Sequence, residues 1–259
     1  MPLNVVSLVS VGRHPQSGRQ RRAEQDGRAV ELGMNLKVVQ NSQLTVLHAG
    51  TSSEPVLRTY AGMGLPELKV LELAEQDDAV PALGDYLQLA NADIVLTGVR
   101  AESGESSGMV PYLLAEQLGW PLVPRIADIV SIDDGVAEIL LALPRGQRRA
   151  VSVPLPFVAS VDNAAAEARQ TAYGPGMRAR IEGNKAVTEV DEVRAGWQES
   201  DAKPRPKRLK VVKAKTAADR FKAATAKPQG KAGKVMKSES AKEQAEEIFK
   251  LLLEEKVIK

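Results

Sequence analysis

Residues 92–121 read ADIVLTGVRAESGESSGMVPYLLAEQLGWP. The run 93–97 is short, apolar and rich in β-branched residues, which predicts a buried strand. Residues 98–108 are small or polar apart from Val99, with Gly98, Gly104 and Gly108 as conformationally free points. Helical spacing returns over 109–118, where Val110, Leu113, Leu114 and Leu118 are expected on one buried face, and Gly119 with Pro121 ends the helix. Strand, glycine-serine loop and helix is the unit by which an α/β sheet offers unpaired backbone N–H groups to an anion, because the first amides of a helix lack intrahelical partners and its dipole favours negative charge. Ser106 and Ser107 are placed to cap the helix or to donate to a phosphate. Such units also occur where nothing binds, and this one carries neither a P-loop lysine nor the dinucleotide glycine fingerprint.

Outward from that stretch, strands and helices alternate. Strands are predicted at 3–11, 44–49 and 68–73, and helices at 24–38, 53–64 and 80–90, the second capped by Ser52 or Ser53. His48 stands at the carboxyl end of its strand, the end that faces the ligand crevice in an open parallel sheet. Residues 12–22, with four arginines and two glycines, read as a polar loop, either a clamp for an anion or a solvated connection. Beyond Pro121 the rhythm changes. Runs at 125–132, 136–143, 148–153 and 156–161, broken at Asp134-Gly135 and Arg145-Gly146, predict antiparallel hairpins added to the sheet. Residues 162–182 read as irregular, and an amphipathic helix over 243–257 closes the chain, with Ile248, Leu251, Leu252 and Glu255 on one face. The fold class is α/β: a mostly parallel, Rossmann-like sheet with helices on both faces, antiparallel hairpins and an extended C-terminal arm.

Composition narrows the chemistry. The 259 residues contain no cysteine and only His14 and His48, which excludes thiol chemistry and a disulfide framework and argues against a histidine metal site. No Ser-His-Asp set and no paired carboxylates appear, so no catalytic residue is assigned. With no signal-like or membrane-length apolar run, a cytoplasmic location without membrane insertion is expected. The net charge of +2 hides an asymmetry: residues 203–237 hold thirteen Lys or Arg against Asp219 alone, on an otherwise acidic body. Two parts follow, an α/β nucleotide-binding domain at 1–186 and a basic arm at 187–259. The arm offers only Phe221 for base stacking, so no nucleic-acid partner is expected.

The order of elements resembles the beta subunit of electron-transfer flavoproteins. The similarity lies in 29–37 (AVELGMNLK), in Leu57-Arg58-Thr59 and Met63-Gly64, in the loop from Gly98 through Ser106-Ser107-Gly108, in the helix ending Leu118-Gly119-Trp120-Pro121, and in 156–160 (PFVAS). The resemblance implies a non-catalytic subunit of a heterodimer. It further implies that FAD lies mainly on the alpha subunit, that AMP, or a second FAD, lies in this chain, and that electrons pass from a dehydrogenase to a quinone-linked acceptor. Carried over by position, the nucleotide contacts are Ser10, Ala23 to Asp26 including Asp26 itself, His48, and the loop from Gly98 to Ser107, with Gly98, Val99, Arg100, Ala101, Gly104, Ser106 and Ser107 in it and Gly108 beside them.

The sequence departs from the family in five places. The connection after the first strand is short, so the family's flavin-facing hairpin is expected to be missing and the arginine-rich loop to replace it. Ala23-Glu24 replaces Asn-Pro, and the nucleotide loop is about two residues short. The acidic Gly-Gly-Glu signature is Arg145-Gly146-Gln147-Arg148-Arg149. The partner-recognition loop has lost its leucine and reads Tyr173-Gly174-Pro175-Gly176-Met177-Arg178-Ala179-Arg180, which points to a dedicated dehydrogenase. A stand-alone adenine-nucleotide-binding protein of the universal-stress type is the other reading of the same loop.

Overall fold

β1 (Asn4–Val9) lies inside the main sheet because both of its faces are apolar: Val5 and Val9 point to one side and Val6 and Leu8 to the other, all buried. The computed structural model describes residues 2–39, 42–198, 200, 216–225, 236, 240–254 and 257. From β1 the chain forms β2 (Val11–Arg13) and β3 (Gln20–Arg22), then α1 (Glu24–Val39), β4 (Gln43–Gly50), α2 (Leu57–Ala61), β5 (Glu67–Glu72), α3 (Ala79–Leu89), β6 (Ile94–Gly98) and α4 (Val110–Leu118). β7 (Leu122–Asp133), β8 (Val136–Ala142), β9 (Arg148–Pro154) and β10 (Phe157–Val161) follow, and then α5 (Tyr173–Arg178), β11 (Arg180–Lys185) and α6 (Glu192–Ala195).

Nine strands form one sheet in the order β11-β5-β4-β1-β6-β10-β7-β8-β9, parallel throughout except for the β7-β8 and β8-β9 pairs. Ala29, Leu32 and Leu36 of α1 pack on Val5, Ile94, Leu96 and Phe157. Leu83 and Leu87 of α3 and Leu114 of α4 pack on Val6, Leu8, Val95 and Val158 across the sheet. Full burial of a side chain such as Leu114 contributes about 1.5–3 kcal/mol. The α/β class with helices on both faces is therefore the one observed.

Several elements differ from the sequence reading. Residues 156–161 do not add a hairpin: β10 is parallel to both β6 and β7 and fully buried between them. Residues 162–182, read as irregular, contain α5 and the start of the parallel edge strand β11. The 12–22 loop is a hairpin, with Val11 opposite Arg22 and Arg13 opposite Gln20, so a short hairpin does follow the first strand. Neither Ser52 nor Ser53 caps α2, whose N-cap is Val56. On α4 the buried face is Pro111, Leu114 and Ala115, whereas Val110 and Leu113 are exposed.

The described residues form two compact units, Met1–Glu199 and Ser200–Lys259. Residues 189–194 run against the 74–78 turn of the first unit, through Asp78 N to Glu189 O at 2.7 Å, Asp191 N to Gln76 O at 3.0 Å and an Arg194–Glu75 ion pair. In the second unit α7 (Ala217–Thr225) and α8 (Ala241–Glu254) each begin with a reciprocal cap, Thr216 with Asp219 and Ser240 with Glu243. Most of the lysine-rich stretch 203–237, and Glu255, lie outside the described residues.

Candidate functional site

The chain leaves β1 by α1 to β4 on one side, and later returns by α3 to β6 on the other side of β1. Neighbouring strands thus send their connections in opposite directions at β1 and β6, and the crevice beyond their carboxyl ends is where open α/β sheets bind ligands. A cleft of about 210 Å³ opens there, lined among others by Leu8, Ser10, Asp26, Leu83, Gly98 and Gly108.

Asp26 forms the floor. It projects from the first turn of α1, and its Oδ2 accepts from Ser10 N at 2.8 Å and Ser10 Oγ at 2.6 Å. Its Oδ1 accepts from Gly98 N at 3.1 Å. One carboxylate therefore joins the ends of β1 and β6. Burial raises the Asp26 carboxyl to about 6, against the opposing pull of the Ser10 and Gly98 hydrogen bonds. Tyr60 of α2 braces the same corner: its hydroxyl donates to Ser10 O at 2.8 Å and accepts from Ala23 N at 2.9 Å.

The loop after β6 is held from outside. Gln25 Oε1 accepts from Val99 N at 3.0 Å, and Ser103 Oγ donates to Val11 O. Glu102 reaches back to the hairpin, where it pairs with Arg21, and its Oε1 accepts from Glu24 N, the first amide of α1, at 2.8 Å. Ser106 Oγ donates to Ala101 O within the loop. Ser107 Oγ accepts from Met109 N at 3.3 Å, just ahead of the helix, whose N-cap, Met109, has no side-chain bond of its own. Gly108 has φ +76°, and a Cβ there would stand 2.9 Å from Val99 O, so this turn requires glycine. Among the described residues, the amides of Ser107, Gly108 and Val110 have no hydrogen-bond acceptor, and they precede or open α4.

Of the residues expected at the site, Ser10, Asp26, Gly98, Arg100, Ala101, Ser106, Ser107 and Gly108 line this one cleft. Val99 turns its amide to Gln25, and Gly104 lines a larger neighbouring groove of about 780 Å³. His48 stands apart: it is buried, and its Nδ1 lies 2.9 Å from Val9 O, to which it donates because a carbonyl only accepts. Burial lowers the His48 pKa, which keeps the ring neutral. A cleft of about 480 Å³ flanks the loop on the hairpin side, lined by Arg13, Arg21, Gln25, Arg100 and Glu102 among others. Sequence reasoning missed Tyr60 and Leu83 and named Glu102 only as part of the loop. Glu102 and Tyr60 act on residues 37 to 89 positions away, so no local pattern marks them. Among the described residues no cluster of three or more metal-ligating side chains occurs, and no helix is long and apolar enough to cross a membrane.

Residues 18–195 match the family model described as the electron transfer flavoprotein domain. The chain is 49% identical over 260 residues to the electron transfer flavoprotein subunit beta of Chromohalobacter salexigens, an alignment spanning 99% of this chain and 96% of that protein. It is 28% identical over 135 residues, half of each chain, to an Escherichia coli protein provisionally named electron transfer flavoprotein subunit YgcR.

Proposed function

The chain belongs to the electron transfer flavoprotein family, and from that premise we propose that it is the beta subunit of a heterodimeric electron carrier and holds AMP in the crevice between β1 and β6. The observation that carries the AMP assignment is that Ser107, Gly108 and Val110, whose amides have no acceptor among the described residues, line a switch-point cleft. A phosphate there meets backbone donors and the positive end of α4 without needing a lysine. Leu8, Leu83 and Pro111 give the cleft an apolar wall for the base. Asp26 Oδ1, which accepts only from Gly98, keeps acceptor capacity for a sugar hydroxyl or a ring amine. At about 210 Å³ the cleft falls below the roughly 300 Å³ at which small-molecule pockets begin, so a nucleotide fills it and extends through its mouth. Ser106, with its hydroxyl committed to Ala101 O, shapes the loop rather than donating to the ligand.

FAD, which supplies the electron-carrying chemistry when bound, belongs in this reading to an alpha subunit. The side chains here bind and orient, and none is assigned a catalytic step. Electrons arrive from a dedicated dehydrogenase and leave towards a quinone-linked acceptor, in the cytoplasm. The altered recognition segment supports a dedicated donor. Tyr173 and Met177 stand exposed on α5, and Arg58 donates to the carbonyls of Gly176 within it and Ala179 just after it. Of the basic arm, residues 189–194 lie against the 74–78 turn of this chain, and the part beyond residue 202 packs in this reading on the alpha subunit. The test is to purify this chain alone and co-expressed with an alpha subunit of the family. A colourless chain and a yellow complex are expected. Stoichiometric flavin on the isolated chain contradicts the assignment of FAD to alpha.

A further inference from the structure

The β2–β3 hairpin is too small to hold itself. Its strands are three residues each, and an isolated two-stranded hairpin is marginal in water. What fixes it is the nucleotide loop. Glu102 Oε1 accepts from Arg21 Nη2 at 3.0 Å and from Glu24 N at 2.8 Å, and Oε2 accepts from Arg21 Nε and Arg13 N, both at 3.1 Å. One carboxylate, only 21% exposed, thus takes four donors: a bidentate guanidinium and two backbone amides. Ser103 Oγ adds a bond to Val11 O.

The loop depends on the hairpin in return. Gly104, Ser106 and Gly108 all have positive φ, and the side-chain bonds local to the stretch are Ser106 to Ala101 O and, at its end, Ser107 from Met109 N. Its course is set by anchors at its start, Asp26 and Gln25, and by Glu102 and Ser103 in its middle. Of the amides without an acceptor, those next to the helix, Ser107 and Gly108, lie five and six residues beyond Glu102.

We propose that Glu102 is a positioning residue that makes the nucleotide loop and the arginine-bearing hairpin order together, so that filling the loop also sets the hairpin. The inference rests on the AMP reading above. Coupling of this kind is reciprocal: if the hairpin supports the loop in its binding form, bound nucleotide must protect the hairpin. The exposed guanidinium of Arg13 then reports the loop's occupancy to whatever meets that face.

The test uses the full-length chain, with AMP as the probe. AMP affinity is measured by calorimetry for the wild type, Glu102→Gln, Glu102→Ala, Arg21→Ala and the Arg21/Glu102 double alanine variant. Tryptic cleavage at Arg13, Arg19, Arg21 and Arg22 is followed by mass with and without AMP. Glu102→Ala is expected to weaken AMP roughly tenfold or more, the scale of losing hydrogen bonds to a charged group. Glu102→Gln, which keeps an oxygen for the Glu24 amide, should recover part of that loss, and the double variant should lose less than the sum of the singles. AMP should slow hairpin cleavage in the wild type and not in Glu102→Ala. Equal AMP affinity and equal hairpin protection in wild type and Glu102→Ala overturn the coupling while leaving the nucleotide reading intact. A wild type that binds no AMP overturns both. If Glu102→Ala does not fold, Arg21→Ala, which spares the bonds to both amides, carries the same comparison.

Discussion

The Gly98 amide donates to Asp26 Oδ1 at 3.1 Å, and a Cβ on residue 98 would stand 2.4 Å from that same oxygen. The glycine at the end of β6 is thus required by the carboxylate on α1, not by a ligand. Gly98→Ala is expected to push Asp26 off its donors and to destabilise the chain by about 1–3 kcal/mol, the cost of leaving buried polar groups unpaired. At about 2–4 °C per kcal/mol for a unit of this size, a melting temperature lowered by several degrees is the readout. An unchanged one would mean that the carboxylate is not held there.

Asp26 also gives a signature in pH. Burial raises its folded pKa from 3.8 to about 6, so the native state prefers the protonated form. Its stabilising contribution is complete below about pH 4 and is lost as pH rises through about 6. Glu31 acts in the opposite sense: its hydrogen bonds from Arg169 lower its pKa, so its contribution is lost as pH falls. Urea midpoints of wild type and Asp26→Asn between pH 4 and 7.5 separate the two. The wild type should lose stability relative to the variant across pH 4–6, and parallel curves would contradict the assignment.

Tyr60 bridges Ser10 O and Ala23 N with a hydroxyl whose pKa burial raises well above its ordinary value. Tyr60→Phe leaves both backbone groups unpaired in the interior. A loss of about 1–3 kcal/mol in denaturant unfolding is expected, with the sheet intact by circular dichroism.

A chain ending at residue 202 should keep its cooperative unfolding but lose the alpha subunit on size-exclusion chromatography. The motive is the charge asymmetry, together with α8, a capped helix that exposes Ile248, Phe249, Leu251 and Leu253. Unimpaired assembly after truncation would place the partner contact on the body instead.

How much of this was legible in the sequence depends on how local each feature is. The β6-loop-α4 unit was readable because its apolar run, its glycines and its Gly119 stop are contiguous; Gly119 does end the helix in the left-handed region. The place of β10 was obscured because it follows two hairpins, yet its unbroken apolar burial is what a central parallel strand shows. β11 escaped notice because it is a polar edge strand, paired on one side only. Of the large apolar residues that a helical wheel placed on the buried face of α4, Leu114 is buried, whereas Val110 and Leu113 are exposed and Pro111 and Ala115 complete the contact. At the site, Ser10, Asp26 and Gly98 were named by position, but what joins them is one carboxylate reaching 16 and 72 residues along the chain, and no spacing rule encodes that.

The most direct measurement is to denature the purified complex and identify the released nucleotides by mass, for the wild type, Ser106→Ala and Gly108→Val. AMP at about one per chain is expected from the wild type. Ser106→Ala, which removes a single bond to Ala101 O, should cost only about 0.5–1.5 kcal/mol and retain most of the nucleotide. Gly108→Val, strained at φ +76° and crowded against Val99 O, should release little or none. If the wild type releases no AMP, ADP or FAD beyond the flavin of its partner subunit, the crevice between β1 and β6 does not hold a nucleotide.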